Sequence, residues 1–357
     1  MPQARPLYET GSKVRDGRDR EKGEVEDMVI KRFDLWKQEE YTYPMTCGFM
    51  PNITAFIHDE DQEKRPGIIV VPGGGYRFVS PTEGEIVARE FYQKGYQAFV
   101  CTYTINLLGA APLKDQPLRD LSRAVCLVRK MAEYFKVKTN QLVVCGFSAG
   151  AHLCGSLCVH FQDVSDPAYD GISNRPDGAI LSYPVITSGA YAHRDSFRAL
   201  LGDNPEEEQL AYMSLEKQVK ANTPPCFLWQ TATDETVPVE NSYLMAEAFH
   251  RQGIPYAHHV FSGGKHGLSL ANEAWAKGGY GDTDTMEQTN RTLRCIRQGS
   301  LEISEPEKQQ LLDAYEYDEE KENERRKGNI PNEEAAVWPV LADVWMKGVV
   351  FAPKSPC

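Results

Sequence analysis

The sequence of 357 residues predicts an α/β fold with a mostly parallel central sheet and helices on both faces. Short runs rich in β-branched residues alternate with stretches that carry apolar side chains at helical spacing, which is typical of βαβ units. The strand runs are continuously apolar, as in strands that are covered on both faces. An apolar fraction of 41% can supply one sizeable core.

The first βαβ unit is predicted early in the chain. A β-branched run over residues 67–72 indicates a strand, and three consecutive glycines, Gly73 to Gly75, end it. Residues 83–93 carry apolar side chains at helical spacing and are followed by Gly95, which predicts a helix and its end. Residues 98–103 return to the strand pattern.

The same alternation continues along the chain. An amphipathic helix over residues 118–135 precedes a strand over 141–145, and a second helix over 149–160 follows that strand directly. Three further strands fit residues 178–183, 226–231 and 256–261, and a helix fits residues 242–252. Ligands bind outside the carboxyl ends of the strands in such sheets, so we expect functional side chains just after each strand.

The charge and hydropathy patterns exclude several classes of function. The formal net charge of −12 argues against nonspecific nucleic-acid binding, which depends on a basic surface. Runs of 18 or more apolar residues are absent from the sequence, so we expect no membrane partner. Residues 1–28 are charged and lack an apolar signal region, which predicts a polar N-terminal arm and no secretory signal.

The cysteines predict the redox compartment. Their number, nine, is odd, and several lie inside apolar runs. This pattern favours buried, reduced thiols in a cytoplasmic protein over a disulfide framework. Cys154 and Cys158 have the spacing of a ligand pair, but no second Cys/His pair at zinc spacing accompanies them, so we expect no metal.

The strongest motif is Gly146-Phe147-Ser148-Ala149-Gly150, which lies between a predicted strand and a predicted helix. In this context G-x-S-x-G forms a sharp turn that lifts the serine hydroxyl above the sheet. On its own the motif also fits a chance occurrence or a non-catalytic turn. Its meaning therefore depends on whether the chain supplies partners for Ser148.

Candidate partners follow Ser148 in the order acid, then histidine, that this kind of site requires. Asp234 comes just after the strand over 226–231, and His266 lies in a glycine-rich loop after the strand over 256–261. Of the eight histidines, only His266 combines a strand-end loop with the required order. Asp234 on its own fits a turn-forming role equally well.

Backbone N–H groups are the expected donors to an oxyanion. The N–H of Ala149 lies at a helix start, where the helix dipole favours negative charge. The loop from Gly73 to Gly75 lets further N–H groups converge without Cβ obstruction. A phosphate cradle is the alternative for these glycines, but the P-loop Lys-Ser/Thr and the G-x-G-x-x-G spacing are both missing. We expect no cofactor.

Together these motifs resemble the α/β-hydrolase superfamily, and within it the bacterial acetyl-xylan-esterase-like enzymes. The segments that carry the resemblance are Pro72 to Tyr76, Gly146 to Gly150, Ser182 to Val185, His193 to Phe197, Asp234 to Pro238 and Lys265 to Leu268. The resemblance covers residues 33–270 and a last helix near 338–347. It implies one α/β-hydrolase domain over residues 29–357, preceded by the polar arm.

The resemblance also implies the roles of the site residues. Ser148 is the implied nucleophile, Asp234 the acid that orients the base, and His266 the base. The implied oxyanion donors are Gly74, Gly75 and Ala149. The resemblance is incomplete at Pro72, where many lipase relatives carry histidine before the glycines. Tyr76, Tyr183 and His193 are candidate substrate contacts, although the aromatic side chains also fit a buried core.

The implied function is a serine esterase that hydrolyses short-chain acyl esters, above all acetyl esters of sugars or xylo-oligosaccharides, by an acyl-enzyme mechanism. The lid candidate, residues 190–220, is charged and poor in apolar stripes, which favours a small polar substrate. The alternatives are a broad-specificity carboxylesterase, an S9-like peptidase and a non-catalytic binding relative. The sequence leaves homo-oligomer formation open.

Residues 271–336 have no counterpart in the family pattern. They contain 16 acidic and 9 basic residues, so much of the negative charge of the chain lies there. We interpret them as an acidic insertion, and the sequence does not decide what it contributes to the site.

Overall fold

The computed structural model of this chain describes residues 28–301, 303–315 and 328–353. The predicted polar arm over residues 1–28 therefore lies outside the described residues except for Met28, which begins the first strand. Residues 302 and 316–327 of the predicted acidic insertion also lie outside them.

Eight strands form one sheet in the described part of the chain, in the order β1-β2-β4-β3-β5-β6-β7-β8. The six strands from β3 to β8 run parallel to one another, and β2 pairs antiparallel with both β1 and β4. This confirms the predicted mostly parallel sheet. The strands are β1 Met28–Asp34, β2 Asn52–His58, β3 Arg65–Val71, β4 Gln97–Thr102, β5 Val137–Phe147, β6 Gly178–Ser182, β7 Cys226–Thr231 and β8 Tyr256–Phe261.

The predicted helices are present within a few residues of their predicted bounds, except that one of them is broken, and further helices that were not predicted lie between them. The predicted helix over residues 118–135 is two helices, because the backbone leaves the helical region at Met131. The helices are α1 Glu85–Gln93, α2 Gln116–Lys130, α3 Ala132–Phe135, α4 Ala149–His160, α5 Arg194–Leu201, α6 Glu207–Tyr212, α7 Glu240–Gln252, α8 Glu273–Ala276, α9 Glu287–Arg297, α10 Glu305–Tyr315 and α11 Trp338–Trp345.

The sheet separates two apolar cores. Helices α1 and α11 cover one face, while α2, α4 and α7 cover the other. Trp338 of α11 stacks on Trp229 of β7 with ring centroids 5.4 Å apart, and the Trp229 indole donates to Ser182 Oγ at 2.7 Å. Burial of one such ring stabilises the fold by about 2–3 kcal/mol. Trp229 is therefore a core residue.

The lid candidate over residues 190–220 packs as part of the domain. It contains α5 and α6, and Phe197, Leu200 and Leu215 join the core on the α4 side of the sheet. This packing places the segment beside the carboxyl ends of the strands, where the predicted site lies.

The acidic insertion also packs on the domain. Gln288 of α9 exchanges two hydrogen bonds of 2.9 Å with the backbone of Ile105, which follows β4. The Glu85 carboxylate accepts from the N–H groups of Asp282 and Thr283, both at 2.8 Å. The insertion is thus tied to the loops at one edge of the sheet and continues the same globular body.

All eight cysteines in the described residues are free, and all except Cys47 and Cys295 are buried. This agrees with the predicted buried thiols, and Cys357 lies outside the described residues. Every helix in this part of the chain is too short or too polar to cross a membrane. The cytoplasmic location stays a prediction.

Candidate active site

The turn between β5 and α4 forces Ser148 into an unusual backbone conformation, with φ of +52° and ψ of −118°. A serine at positive φ is strained, and such strain persists only where the surroundings fix it. The Ser148 N–H donates to the Ser182 carbonyl at 3.0 Å. A Cβ on Gly150 would lie 2.1 Å from the Val71 carbonyl oxygen, so only glycine lets α4 start this close to β3. The sharp turn predicted from G-x-S-x-G is therefore present.

A chain of hydrogen bonds joins Ser148, His266 and Asp234. His266 Nε2 lies 2.8 Å from Ser148 Oγ, and His266 Nδ1 lies 2.6 Å from Asp234 Oδ2. The other carboxylate oxygen, Oδ1, accepts from the N–H groups of Thr236 and Val237, which fixes the carboxylate plane. An ionised Asp234 can only accept, so Nδ1 carries the proton and Nε2 is free to accept the serine proton.

The glycine loop after β3 lies directly beside Ser148. A Cβ on Gly73 would lie 2.9 Å from Ser148 Cβ, so the loop can approach this closely only with glycine there. In the described part of the chain, the N–H groups of Gly74, Gly75 and Ala149 donate to no protein acceptor. Free N–H groups at a helix start and a glycine loop are suited to stabilise an oxyanion.

Comparison with known proteins adds an independent line of evidence. A family model described as BD-FAE matches residues 55–168, a segment that contains the glycine loop and Ser148. The solved structure of an acetyl ester-xyloside bifunctional hydrolase from Caldicellulosiruptor lactoaceticus is 35% identical, with a TM-score of 0.62. The match covers 75% of this chain and 95% of that one. The chain belongs to the α/β-hydrolase esterases.

Two curated proteins are also similar to this α/β-hydrolase. An endo-1,4-beta-xylanase B from Butyrivibrio fibrisolvens is 54% identical over 271 residues, which cover 75% of this chain and 42% of that protein. An acetylxylan esterase from Xylanibacter ruminicola is 27% identical over 261 residues, which cover 71% of this chain and 49% of that protein. The α/β-hydrolase chain thus spans less than half the length of each of these two relatives.

Two of the predicted substrate contacts of this α/β-hydrolase are wrong. The Tyr76 side chain is buried, and its hydroxyl is bonded to His152 Nδ1 at 2.8 Å. The Tyr183 side chain is buried as well, and its ring packs edge-on against the His266 ring with centroids 4.9 Å apart. Neither ring leaves a face on which a sugar can stack. Aromatic type and position after a strand end are shared by core residues, so the sequence could not separate the two.

The third predicted contact, His193, lies near the glycine loop after β3. A Cβ on Gly75 would lie 3.9 Å from His193 Cε1, and His193 Nδ1 is 2.9 Å from Ser196 Oγ. Burial, and after it the nearby His266, lowers the pKa of His193, which favours a neutral ring. A neutral imidazole at this place can exchange a hydrogen bond with a substrate, and that role stays a prediction.

The sequence reasoning missed Glu83, whose carboxylate lies directly behind the site. One oxygen accepts from the Gly73 N–H at 2.8 Å, and the other accepts from the Tyr183 hydroxyl at 2.7 Å. Burial raises the pKa of the Glu83 carboxyl, and the bonds from Tyr183 and Gly73 and the charge of His266 oppose this. Glu83 thus holds both the glycine loop after β3 and the Tyr183 ring that packs on His266. Its only sequence signal was an acidic residue between the glycine loop and α1.

We expect Glu83→Gln to lower kcat about 10- to 100-fold and to change KM for p-nitrophenyl acetate less than about threefold. An amide cannot accept from both Gly73 and Tyr183 without turning its NH₂ group towards one of these donors, so the loop or the ring shifts. Kinetics of the purified variants measure this.

The matched control is Glu85→Gln, because Glu85 is also buried but bonds to Thr283 in the insertion. The control is expected to keep kcat. If Glu83→Gln kept its kcat and showed only a higher KM or a lower thermal midpoint, Glu83 would have a merely structural role.

Among the described residues, no group of three or more His, Cys, Asp or Glu side chains is arranged to bind a metal ion. The groups that this α/β-hydrolase brings together are a hydroxyl, an imidazole, a carboxylate and free N–H donors. These groups suit acyl transfer through a serine.

Proposed function

We propose that this chain is a serine esterase that hydrolyses short-chain acyl esters, above all acetyl esters of sugars or xylo-oligosaccharides. The observation that carries the proposal is the chain of hydrogen bonds from Asp234 through His266 to Ser148, beside free N–H donors. The names of two relatives, an acetyl ester-xyloside hydrolase and an acetylxylan esterase, support the acetyl and xylose parts.

The first half of the reaction forms an acyl-enzyme. Ser148 Oγ attacks the ester carbonyl carbon while His266 Nε2 takes the hydroxyl proton, and Asp234 stabilises the resulting imidazolium. The carbonyl oxygen becomes an oxyanion that accepts from the N–H groups of Gly74, Gly75 and Ala149. The C–O bond to the sugar then breaks, and the departing alkoxide takes the proton from His266.

The second half releases the acid. A water molecule gives a proton to His266 Nε2 and attacks the acyl carbon. The carbonyl oxygen again becomes an oxyanion that accepts from the same N–H groups. The bond from the acyl carbon to Ser148 Oγ then breaks, and Oγ takes the proton back. The products are the free carboxylic acid and the unmodified serine, so the step balances with water alone.

We expect kcat/KM for p-nitrophenyl esters to fall at least about tenfold from acetate to octanoate, because no long apolar channel is offered by the charged segment over residues 190–220. Acetylated xylotetraose is tested beside the aryl esters. Fastest cleavage of the octanoate would contradict the short-chain proposal. Aryl acetate cleaved with no preference for the sugar ester would instead indicate a carboxylesterase of broad specificity.

A further inference from the structure

A groove of about 810 Å³ lies beside the predicted site, between α10 of the insertion and two loops of the main domain. One loop follows β3 and contributes Arg77, and the other follows β4 and contributes Leu107 to Ala110. Because β3, β4 and β5 are parallel neighbours, these loops lie at the same edge of the sheet as Ser148. The groove therefore opens on the face of the molecule that carries the site.

The groove is close to the oxyanion loop. The Arg77 N–H donates to the Gly74 carbonyl at 3.0 Å, so one tight turn separates the groove from the proposed oxyanion donors. On the other side, the Tyr315 ring of α10 packs on the Phe78 ring with centroids 5.8 Å apart. These two contacts attach the groove wall to the same loop that carries Gly74.

One face of α10 forms the wall that the insertion supplies. The groove is lined by Ser304, Glu307, Gln310, Leu311 and Ala314, whose spacing of three or four residues places them on one helical face. The Glu307 carboxylate accepts from the N–H and hydroxyl of Ser304 at the start of α10. That acid is therefore engaged within its own helix.

The lining fits a neutral polyhydroxylated chain. Among the described residues, Gln310 has no hydrogen-bond partner for its exposed amide, and the Arg77 guanidinium makes a single long bond of 3.5 Å to the Leu107 carbonyl. Both side chains keep donors for hydroxyl groups, and Gln310 also keeps an acceptor. Leu108 and Leu311 add apolar surface for the faces of sugar rings. A volume near 800 Å³ is in the range of sites for ligands of several rings.

We propose that this groove is the subsite for the oligosaccharide chain that carries the ester, and that the insertion makes the enzyme prefer a xylose-based oligosaccharide over a simple ester. The inference rests on the proposed function and adds a place where the sugar units beyond the ester bind. Binding here holds the chain while the acylated unit reaches Ser148. The gain is expected in KM, because the groove contacts sugars that do not react.

The first test fills the groove. Ala314→Trp places an indole on its exposed wall, and we expect kcat/KM for acetylated xylotetraose to fall about tenfold, through KM, with p-nitrophenyl acetate changed less than about twofold. Gln310→Ala is expected to lower kcat/KM for the sugar substrate about two- to fivefold by loss of hydrogen bonds.

The matched control is Ala221→Trp. Ala221 is exposed and precedes β7, so it lies at the opposite edge of the sheet from Ser148. It should leave both substrates unchanged. Equal loss on both substrates in Ala314→Trp, or no loss on either, would overturn the groove proposal.

A binding measurement separates this proposal from the proposed function. Unacetylated xylotetraose is titrated calorimetrically into Ser148→Ala and into Ser148→Ala with Ala314→Trp. We expect binding to the first and at least about tenfold weaker binding to the second. Absence of binding to the first would refute the subsite even if the native enzyme cleaves acetyl esters. Binding that the tryptophan removes would support the subsite even if the native protein shows no esterase activity.

Discussion

Replacing Ser148 with alanine is expected to lower kcat for p-nitrophenyl acetate by about 10⁶-fold, the largest effect of any single change in this chain. In the proposed mechanism the acyl-enzyme forms only through Ser148 Oγ, and in the variant His266 Nε2 has no hydroxyl from which to take a proton. We expect the backbone to keep its conformation, because alanine at this position bears the same strain in φ and loses only the hydroxyl. The thermal midpoint should therefore stay close to that of the native chain.

A fluorophosphonate label gives a second readout of the same group. The native protein should be labelled at one site, and the label should disappear in Ser148→Ala. Ser156→Ala is the matched control, because Ser156 lies two turns further along α4 and is buried. It should keep both activity and label. An unlabelled native protein, or a fully active Ser148→Ala, would refute the serine mechanism.

Asp234→Asn is expected to lower kcat by about 10³- to 10⁴-fold while the fold is retained. Asparagine keeps one carbonyl oxygen for the N–H groups of Thr236 and Val237, so the loop stays in place. Its NH₂ group then faces His266 Nδ1, which must accept. The proton of the neutral ring therefore lies on Nε2. A protonated Nε2 cannot take the proton of Ser148.

The control for Asp234→Asn is Glu235→Gln, which makes the same acid-to-amide change on the next residue. Glu235 is exposed and lies in the same loop, so the kcat of Glu235→Gln should be within about twofold of the native value. If Glu235→Gln lost activity and Asp234→Asn kept it, the orienting acid would have been assigned to the wrong residue.

The parallel strands β3 to β7 were predicted because each contains a short apolar run, as burial on both faces demands. The edge strand β8 carries His258 and His259 and is only partly buried, so its prediction depended on the flanking residues of its run. The antiparallel strands β1 and β2 were not assigned from the sequence. β1 lies at the sheet edge and carries Lys31, Arg32 and Asp34 among apolar residues, so its composition does not separate it from a loop. The break between α2 and α3 was missed because apolar spacing continues across Met131.

The candidate triad was predictable because strand ends and chain order suffice to identify its members. Ser148, Asp234 and His266 each follow a strand of one parallel sheet, and such strands end at one edge. The surroundings of the triad were not predictable in this way. Glu83 and Tyr183 are 100 residues apart, and they come into contact only when the turn before α1 packs against the chain that follows β6.

From the sequence alone, the parallel strands, the sharp turn at Ser148 and the chain order of the three candidate catalytic side chains could be predicted. Each of these depends on apolar patterning or on small residues in a local turn. Only the folded structure shows that Tyr76 and Tyr183 are buried, that Glu83 holds the glycine loop after β3, and that α10 forms a groove wall. Those outcomes depend on which distant segments come into contact, and contacts between distant segments leave no periodic signal in one sequence.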